Sequence, residues 1–224
     1  MNADIVTEVL NVTADMKRRN GVSANTKQLV IIDVDASPSM DGEKARHAQT
    51  ACNELVAELG QPINKNGFIV MVIHFNHRAW VAHQWTPATK LAGCISALDI
   101  DSSTNMTEAL KLAVQELQTH TRDAGITYLK PVVLFLTDGC FNVGGHPGAA
   151  GNELKAKADL VTVAFGTDAD EGLLRELAST PQHFYRVNNG AELRNFMAQV
   201  GDTMTISMAQ KRDATRPLAM LGPH

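Results

Sequence analysis

Residues 28–40 read QLVIIDVDASPSM, and this stretch decides the fold. The run QLVIIDV is almost entirely apolar, as in a strand that is covered on both faces of a sheet. Asp35 then follows, and oxygen-bearing side chains recur at Ser37 and Ser39. The stretch therefore predicts a buried central strand that ends in a group of polar side chains.

Further apolar runs continue along the chain and alternate with segments of helical period. The predicted strands are 28–34, 68–75, 79–84, 132–138, 159–165 and 183–187. The predicted helices are 42–59, 105–122, 171–178 and 190–208. Because crossover helices join parallel neighbours, we expect a three-layer doubly wound α/β fold with helices on both faces of a mostly parallel sheet. The short turn before 79–84 indicates one antiparallel edge strand.

Length and composition indicate one globular domain with two appendages. The 224 residues are 44% hydrophobic and 20% charged, which is ordinary for a soluble protein with a core. We expect the domain to cover residues 28–208. Residues 1–27 would form an N-terminal extension with an amphipathic helix over 3–20, and residues 209–224 a C-terminal tail.

Charge and cysteine usage exclude several classes of partner. The formal net charge is −4, whereas a protein that neutralises phosphates is usually basic, so no nucleic acid is expected. No apolar run approaches the roughly 20 residues that span a bilayer, so no membrane is expected either. Cys52, Cys94 and Cys140 form no CxxC pair, which argues against structural zinc and for reduced thiols in a cytoplasm.

Polar side chains also precede the helix 105–122 and follow the strand 132–138. Since the carboxyl ends of parallel strands meet at one edge of a sheet, we expect these side chains to converge. Carboxylates and hydroxyls are hard oxygen donors, which suit Mg²⁺ or another hard divalent ion. The predicted metal ligands are Asp35, Ser37, Ser39, Thr104 and Asp138.

The spacing Asp35-x-Ser37-x-Ser39, with Thr104 and with Asp138 in a Thr-Asp-Gly turn, resembles the metal-ion-dependent adhesion site (MIDAS) of von Willebrand factor type A (VWA) domains. The resemblance covers about residues 28–205. It implies the VWA fold and a site for Mg²⁺, Mn²⁺ or Ca²⁺, with Asp138 often acting through water. It also implies that a carboxylate from a partner protein completes the ion's coordination.

The residues directly after the proposed ligands are predicted to form the rim of the partner-binding surface. These are Met40, Asn105, Met106, Cys140 and Phe141. Among VWA proteins, the chain most resembles the short bacterial TerY-like group associated with tellurium resistance, on the segment STNMTEAL at 103–110 and on its C-terminal units. That resemblance implies a cytoplasmic stress-response complex with kinase or phosphatase partners.

An enzymatic alternative uses the same stretch. Residues 33–37 also resemble the first motif of Mg²⁺-dependent haloacid-dehalogenase phosphatases, in which Asp33 would be the nucleophile and Asp35 the general acid. Thr137 would supply the second-motif hydroxyl. The late acidic pair would be Asp168 and Asp170.

Three residues argue against this phosphatase interpretation. Ser39 and Thr104 have no role in it, and Lys130 precedes its strand instead of following a suitable loop. The sequence marks no His, Lys or activated Cys as a general base. We therefore expect a binding module and not an enzyme, although only the phosphatase interpretation accounts for Asp33.

Overall fold

A mixed sheet organises residues 24–221, the part of the chain that the computed structural model describes. Its strands are β1 (Thr26–Asp35), β2 (Phe68–Phe75), β3 (Ala79–Pro87), β4 (Thr127–Tyr128), β5 (Val132–Thr137), β6 (Asp159–Phe165) and β7 (Phe184–Val187). They lie in the order β3-β2-β1-β5-β6-β7, and the short β4 pairs with the start of β1. Only the β2–β3 pairing is antiparallel within this described part, which confirms the predicted edge hairpin.

Helices cover both faces of the sheet. They are α1 (Glu43–Leu59), α2 (Ala88–Leu91), α3 (Met106–Thr119), α4 (Gly148–Lys155), α5 (Glu171–Leu177), α6 (Gly190–Ala209) and α7 (Thr215–Leu218). Helices α1, α2, α6 and α7 pack on one face, and α3, α4 and α5 pack on the other. The three-layer α/β fold is therefore confirmed. None of the helices in residues 24–221 is both long enough and apolar enough to cross a membrane.

The apolar run in β1 is continuous because both of its faces are covered. Val30, Ile32 and Val34 belong to the core under α1 and α6, while Ile31 belongs to the core on the opposite face. Each is fully buried or nearly so, and burying one such side chain stabilises the fold by about 1.5–3 kcal/mol. This double burial places the end of β1 at the centre of the carboxyl edge, between β2 and β5.

The C-terminal segment differs from the predicted tail. Residues 210–221 continue past α6, and Ala214 and Leu218 are buried in the core. Thr215 donates a hydrogen bond of 2.5 Å to the buried Asp159, and the Tyr185 hydroxyl donates one to the Leu218 carbonyl. Because buried polar groups need hydrogen-bond partners, these two contacts help to hold the segment against the core. The predicted amphipathic helix over 3–20 lies outside the described residues.

Candidate metal centre

The loop after β1 folds its oxygen atoms toward one point. Ser37 precedes a short 3-10 turn at Pro38–Met40, and its backbone N–H donates to Asp35 Oδ1 at 2.8 Å. Proline suits the first position of such a turn because its missing N–H would have no partner there. Asp35 and Ser37 are both buried, so this local geometry fixes them against the sheet edge.

Hydrogen bonds extend this loop to the end of β5. The hydroxyl oxygens of Ser37 and Ser39 lie 3.0 Å apart, and Ser39 Oγ donates to Asp138 Oδ1 at 2.6 Å. Asp138 follows β5 directly, and its side chain is fully buried. Of the predicted ligands, Asp35, Ser37, Ser39 and Asp138 are thus brought into one cluster.

Thr104, the fifth predicted ligand, lies on the loop that leads into α3. Its N–H donates to Asn142 Oδ1 at 2.9 Å, and its carbonyl accepts from the Asn142 N–H at 3.1 Å. The same loop is joined to the end of β1 where the Asp101 N–H donates to the Ala36 carbonyl at 3.1 Å. Thr104 itself is buried. Backbone contacts therefore fix Thr104 against Asn142, four residues after Asp138, and its side chain makes no hydrogen bond to the other four predicted ligands within residues 24–221.

The predicted rim is only partly at the surface. Cys140 is exposed and Phe141 is partly exposed, whereas Asn105 is buried and accepts a hydrogen bond from the Glu108 N–H at the start of α3. Met40 and Met106 are completely buried, in the cores on opposite faces of the sheet. Their rim assignment is wrong, because their long apolar side chains fill space beneath the loops.

Two residues that contact the cluster were not predicted as parts of the metal site. Thr137 Oγ1 donates to Asp35 Oδ2 at 2.5 Å, and Lys44 Nζ forms an ion pair with Asp138 Oδ2. Lys44 lies in the first turn of α1, where the helix macrodipole disfavours a positive charge. The ion pair with Asp138 offsets this cost, and no local sequence pattern indicates it.

The environment of Asp35 opposes its ionisation. Burial raises the pKa of Asp35 to about 6, and the negative charge of Asp138 adds to this rise. Hydrogen bonds from Thr137 and Ser37 act in the other direction, because they stabilise the carboxylate. Two carboxylates held close together in this way are a favourable environment for a cation.

Asp33 lies two residues earlier on β1 and has no such support. Neither of its carboxyl oxygens has a hydrogen-bond partner within residues 24–221. Complete burial, followed by the charge of Asp35, raises the pKa of Asp33 well above its ordinary value. Its neighbours in register on β2 and β5 are the apolar Ile73 and Phe135. These surroundings favour a neutral side chain.

The geometry of these acidic residues argues against the phosphatase interpretation. Asp33 is completely buried, so the proposed nucleophile has no access to a substrate. Lys130 precedes β5 and pairs with Asp159, the first residue of β6, at the opposite edge of the sheet from Asp35. Asp170 caps the start of α5 by accepting a hydrogen bond from the Leu173 N–H. Asp33 and Lys130 are therefore not placed for the roles that the phosphatase interpretation gives them.

The donor set fits a hard divalent cation. Carboxylate and hydroxyl oxygens suit Mg²⁺, Mn²⁺ and Ca²⁺, whereas zinc sites are usually built with His or Cys. Within residues 24–221, no group of three or more His, Cys, Asp or Glu side chains is arranged to hold a metal. The oxygen cluster at the ends of β1 and β5 is therefore the candidate metal centre of the described chain.

Comparison with known proteins finds the same architecture. The sequence matches the von Willebrand factor type A domain over residues 29–199. A structure of proximal thread matrix protein 1 from the mussel byssus is similar at a TM-score of 0.68 and 19% identity, covering 82% of this chain and 47% of that chain. The von Willebrand factor domain of the pilus tip protein Mfa5 from Porphyromonas gingivalis is similar at a TM-score of 0.66 and 13% identity, covering 83% and 97%.

A further structure of the mussel protein is described as having a zinc-occupied MIDAS motif. It is similar at a TM-score of 0.65 and 18% identity, covering 82% of this chain and 47% of that chain. The present chain thus spans about half the length of the mussel protein. At these identities the solved structures establish the fold alone. No curated protein sequence matches the chain.

Proposed function

Because the chain belongs to the von Willebrand factor type A domain family, we propose that it is a divalent-metal-dependent protein-interaction module. The observation that carries this proposal is the cluster of carboxylate and hydroxyl oxygens at the ends of β1 and β5. Asp35, Ser37, Ser39 and Thr104 would hold the ion directly or through water, and Asp138 would act as a further ligand.

The ion would be Mg²⁺, with Mn²⁺ or Ca²⁺ as substitutes. When bound, it supplies a Lewis-acidic centre that accepts an anionic oxygen. The protein's own hydroxyl ligands carry no charge, so the centre favours one more anionic donor. The proposed partner is a protein that presents an Asp or Glu side chain to the ion.

The surface beside the centre supports a protein partner. Cys140 and Phe141 follow two and three residues after Asp138, and Val143 is a large apolar side chain with 38% exposure. Phe141 packs edge-on against His146, with ring centroids 5.6 Å apart, so its ring is held in place. Aromatic side chains, Phe included, are enriched in protein–protein interfaces, so the exposed part of Phe141 is suited to contact a partner.

The proposed setting is a bacterial cytoplasmic stress-response complex linked to tellurium resistance, with a kinase or phosphatase as a further partner. The support for this setting is the resemblance of residues 103–110 and of the C-terminal units to the TerY-like group. In this setting the domain acts by binding and carries out no reaction of its own.

A pull-down experiment tests the function. The full chain, immobilised and incubated with cytoplasmic extract in Mg²⁺ or in EDTA, should capture partners only with Mg²⁺. Asp138→Ala should lose them, whereas Lys130→Met should keep them, because Lys130 lies at the opposite sheet edge. Equal recovery in Mg²⁺ and EDTA would show that binding uses another face.

A further inference from the structure

Lys44 reaches from the first turn of α1 to the carboxylate of Asp138. Its Nζ pairs with Asp138 Oδ2; the lysine side chain is 33% exposed and the aspartate side chain 0% exposed. Gly166 follows β6 and lies alongside, since a Cβ added there would be 3.7 Å from Cε and Nζ of Lys44. The ammonium group is thus held at the carboxyl edge, in contact with one of the proposed metal ligands.

This ammonium group reduces the net negative charge of the site at which a divalent ion would bind. Asp35 and Asp138 contribute two negative charges, and Lys44 cancels one of them. After a divalent ion binds, the centre carries one net positive charge, where it would be neutral without the lysine. A surplus positive charge weakens the hold on a cation and strengthens the attraction for an anion.

We propose that Lys44 sets the balance between metal affinity and carboxylate affinity at this centre. It weakens binding of the ion and strengthens binding of a carboxylate to the loaded centre. This inference rests on the proposed function, because it assigns a role within the same metal centre. The two effects have opposite signs, whereas a lysine that only stabilises the fold would not move them in opposite directions.

The chain contains a matched control. Lys130 pairs with Asp159 at 2.7 Å, and the exposures of the two side chains are again 33% and 0%. This pair lies at the amino edge of the sheet, where the parallel strands begin. Thr215 donates a hydrogen bond to Asp159 there, in addition to the one from Lys130. Lys130→Met therefore removes a similar ion pair without changing the charge at the metal centre.

The experiment uses Mn²⁺ alone and then acetate as a carboxylate probe. Electron paramagnetic resonance of free Mn²⁺ gives its dissociation constant for the full-length wild type, Lys44→Met, Lys44→Arg and Lys130→Met at about pH 8, above the pKa of Asp35. The titration is repeated with a fixed excess of sodium acetate and with the same concentration of sodium chloride. The ratio of the two dissociation constants measures carboxylate binding to the loaded centre.

Lys44→Met should bind Mn²⁺ on the order of tenfold more tightly than the wild type, because one positive charge is removed near a dication. Acetate should strengthen Mn²⁺ binding in the wild type and much less in Lys44→Met. Lys44→Arg keeps the charge and should behave like the wild type, as should Lys130→Met. If Lys44→Met does not fold, Lys44→Gln replaces it with the same expectation.

Three results would overturn the inference, and they differ in their meaning for the site. If Mn²⁺ binds but Lys44→Met matches Lys130→Met in both measurements, Lys44 is only structural and the metal centre stands. Lys44 is likewise only structural if Lys44→Met weakens both Mn²⁺ and acetate binding. If Mn²⁺ binds to none of the proteins, the metal centre fails together with the proposed function.

Discussion

Two lysine–aspartate pairs of the same construction lie at opposite edges of the sheet. At the amino edge, Asp159 pairs with Lys130 and accepts a hydrogen bond from Thr215. At the carboxyl edge, Asp138 pairs with Lys44 and accepts a hydrogen bond from Ser39. Both aspartates are fully buried, and both lysines are one-third exposed.

The surroundings of the two pairs make the difference. The oxygens of Asp159 are taken by Lys130 and Thr215, and the pair fixes the C-terminal segment to the core. Ser39, which donates to Asp138, also contacts Ser37. The charge of Asp138 is close enough to Asp35 to raise the pKa of Asp35. The same ion pair therefore stabilises the fold at one edge and adjusts a cluster of negative charge at the other.

Removing the aspartate at each edge should separate these roles and give the largest effect. Asp159→Ala should lower the free energy of unfolding by about 3 kcal/mol, because Lys130 and Thr215 lose a buried partner. Asp138→Ala should cost clearly less, because the variant is also relieved of the repulsion between Asp138 and Asp35. Urea unfolding in EDTA measures both values. Equal losses would mean that Asp138 is as structural as Asp159.

Mg²⁺ should stabilise the protein through the carboxyl edge of the sheet only. At about 100 times its dissociation constant, Mg²⁺ should raise the free energy of unfolding by about 2.7 kcal/mol, because it binds the folded state. Asp35→Ala should abolish the rise, whereas Lys130→Met should retain it. Thermal unfolding with Mg²⁺ or EDTA provides the measurement. A wild type and an Asp35→Ala variant that respond alike would place the ion elsewhere.

Acid should stabilise the carboxyl edge in the absence of metal. The pKa of Asp35 is about 6 in the folded protein, above its ordinary value of 3.8, so the folded state binds this proton more tightly than the unfolded state. The resulting penalty is complete above pH 7 and is relieved as the pH falls through 6 toward 4, by about 2 kcal/mol. The free energy of unfolding is measured in EDTA across this pH range for the wild type and for Asp35→Asn. The difference between the two proteins gives the contribution of Asp35.

His74 contributes a pH dependence of the opposite sign to the free energy of unfolding. Comparing the wild type with Asp35→Asn removes this contribution. Burial, with a smaller effect from His83, lowers the pKa of His74 to about 4, so its contribution to stability is lost as the pH falls from 6.5 toward 4. Because His74 is present in both proteins, its effect cancels in the difference between them. An Asp35→Asn variant with the same pH profile as the wild type would contradict the assignment of the Asp35 pKa.

The two hydroxyl donors should show the smallest difference. Thr215→Val should cost about 1 kcal/mol, because Asp159 loses one of its two donors in a buried position. Ser39→Ala should change the stability in EDTA by less than this, since Lys44 remains paired with Asp138, but it should reduce the response to Mg²⁺. Unfolding with and without Mg²⁺ compares them. A Thr215→Val variant that loses the Mg²⁺ response would contradict this prediction, because it would show that the two edges of the sheet are energetically coupled.

Much of the fold and most of the metal cluster follow from local sequence patterns. The apolar run of β1 and the alternation of Asp35, Ser37 and Ser39 are contained in thirteen consecutive residues. Asp138 follows a second apolar run, and parallel strands bring both ends to one edge. Here the short-range pattern and the topology were sufficient.

What the sequence did not reveal depends on contacts between distant residues. Lys44 and Asp138 are 94 residues apart, and their pairing requires the final position of α1. Met40 follows the polar loop in sequence, yet the core beneath the loop takes up its side chain. The partners that fix the predicted C-terminal tail, Asp159 and Tyr185, lie far away from it in the chain.

The packed C-terminal segment brings both ends of the domain to the same edge of the sheet, which has a consequence if the domain is placed under tension. Thr26 begins β1 at the amino edge, and Thr215 is attached to Asp159 at that same edge. A partner bound at the carboxyl edge would pull from the opposite pole. The tension would then run lengthwise along the parallel strands and load their backbone hydrogen bonds in shear, so that several bonds must break together.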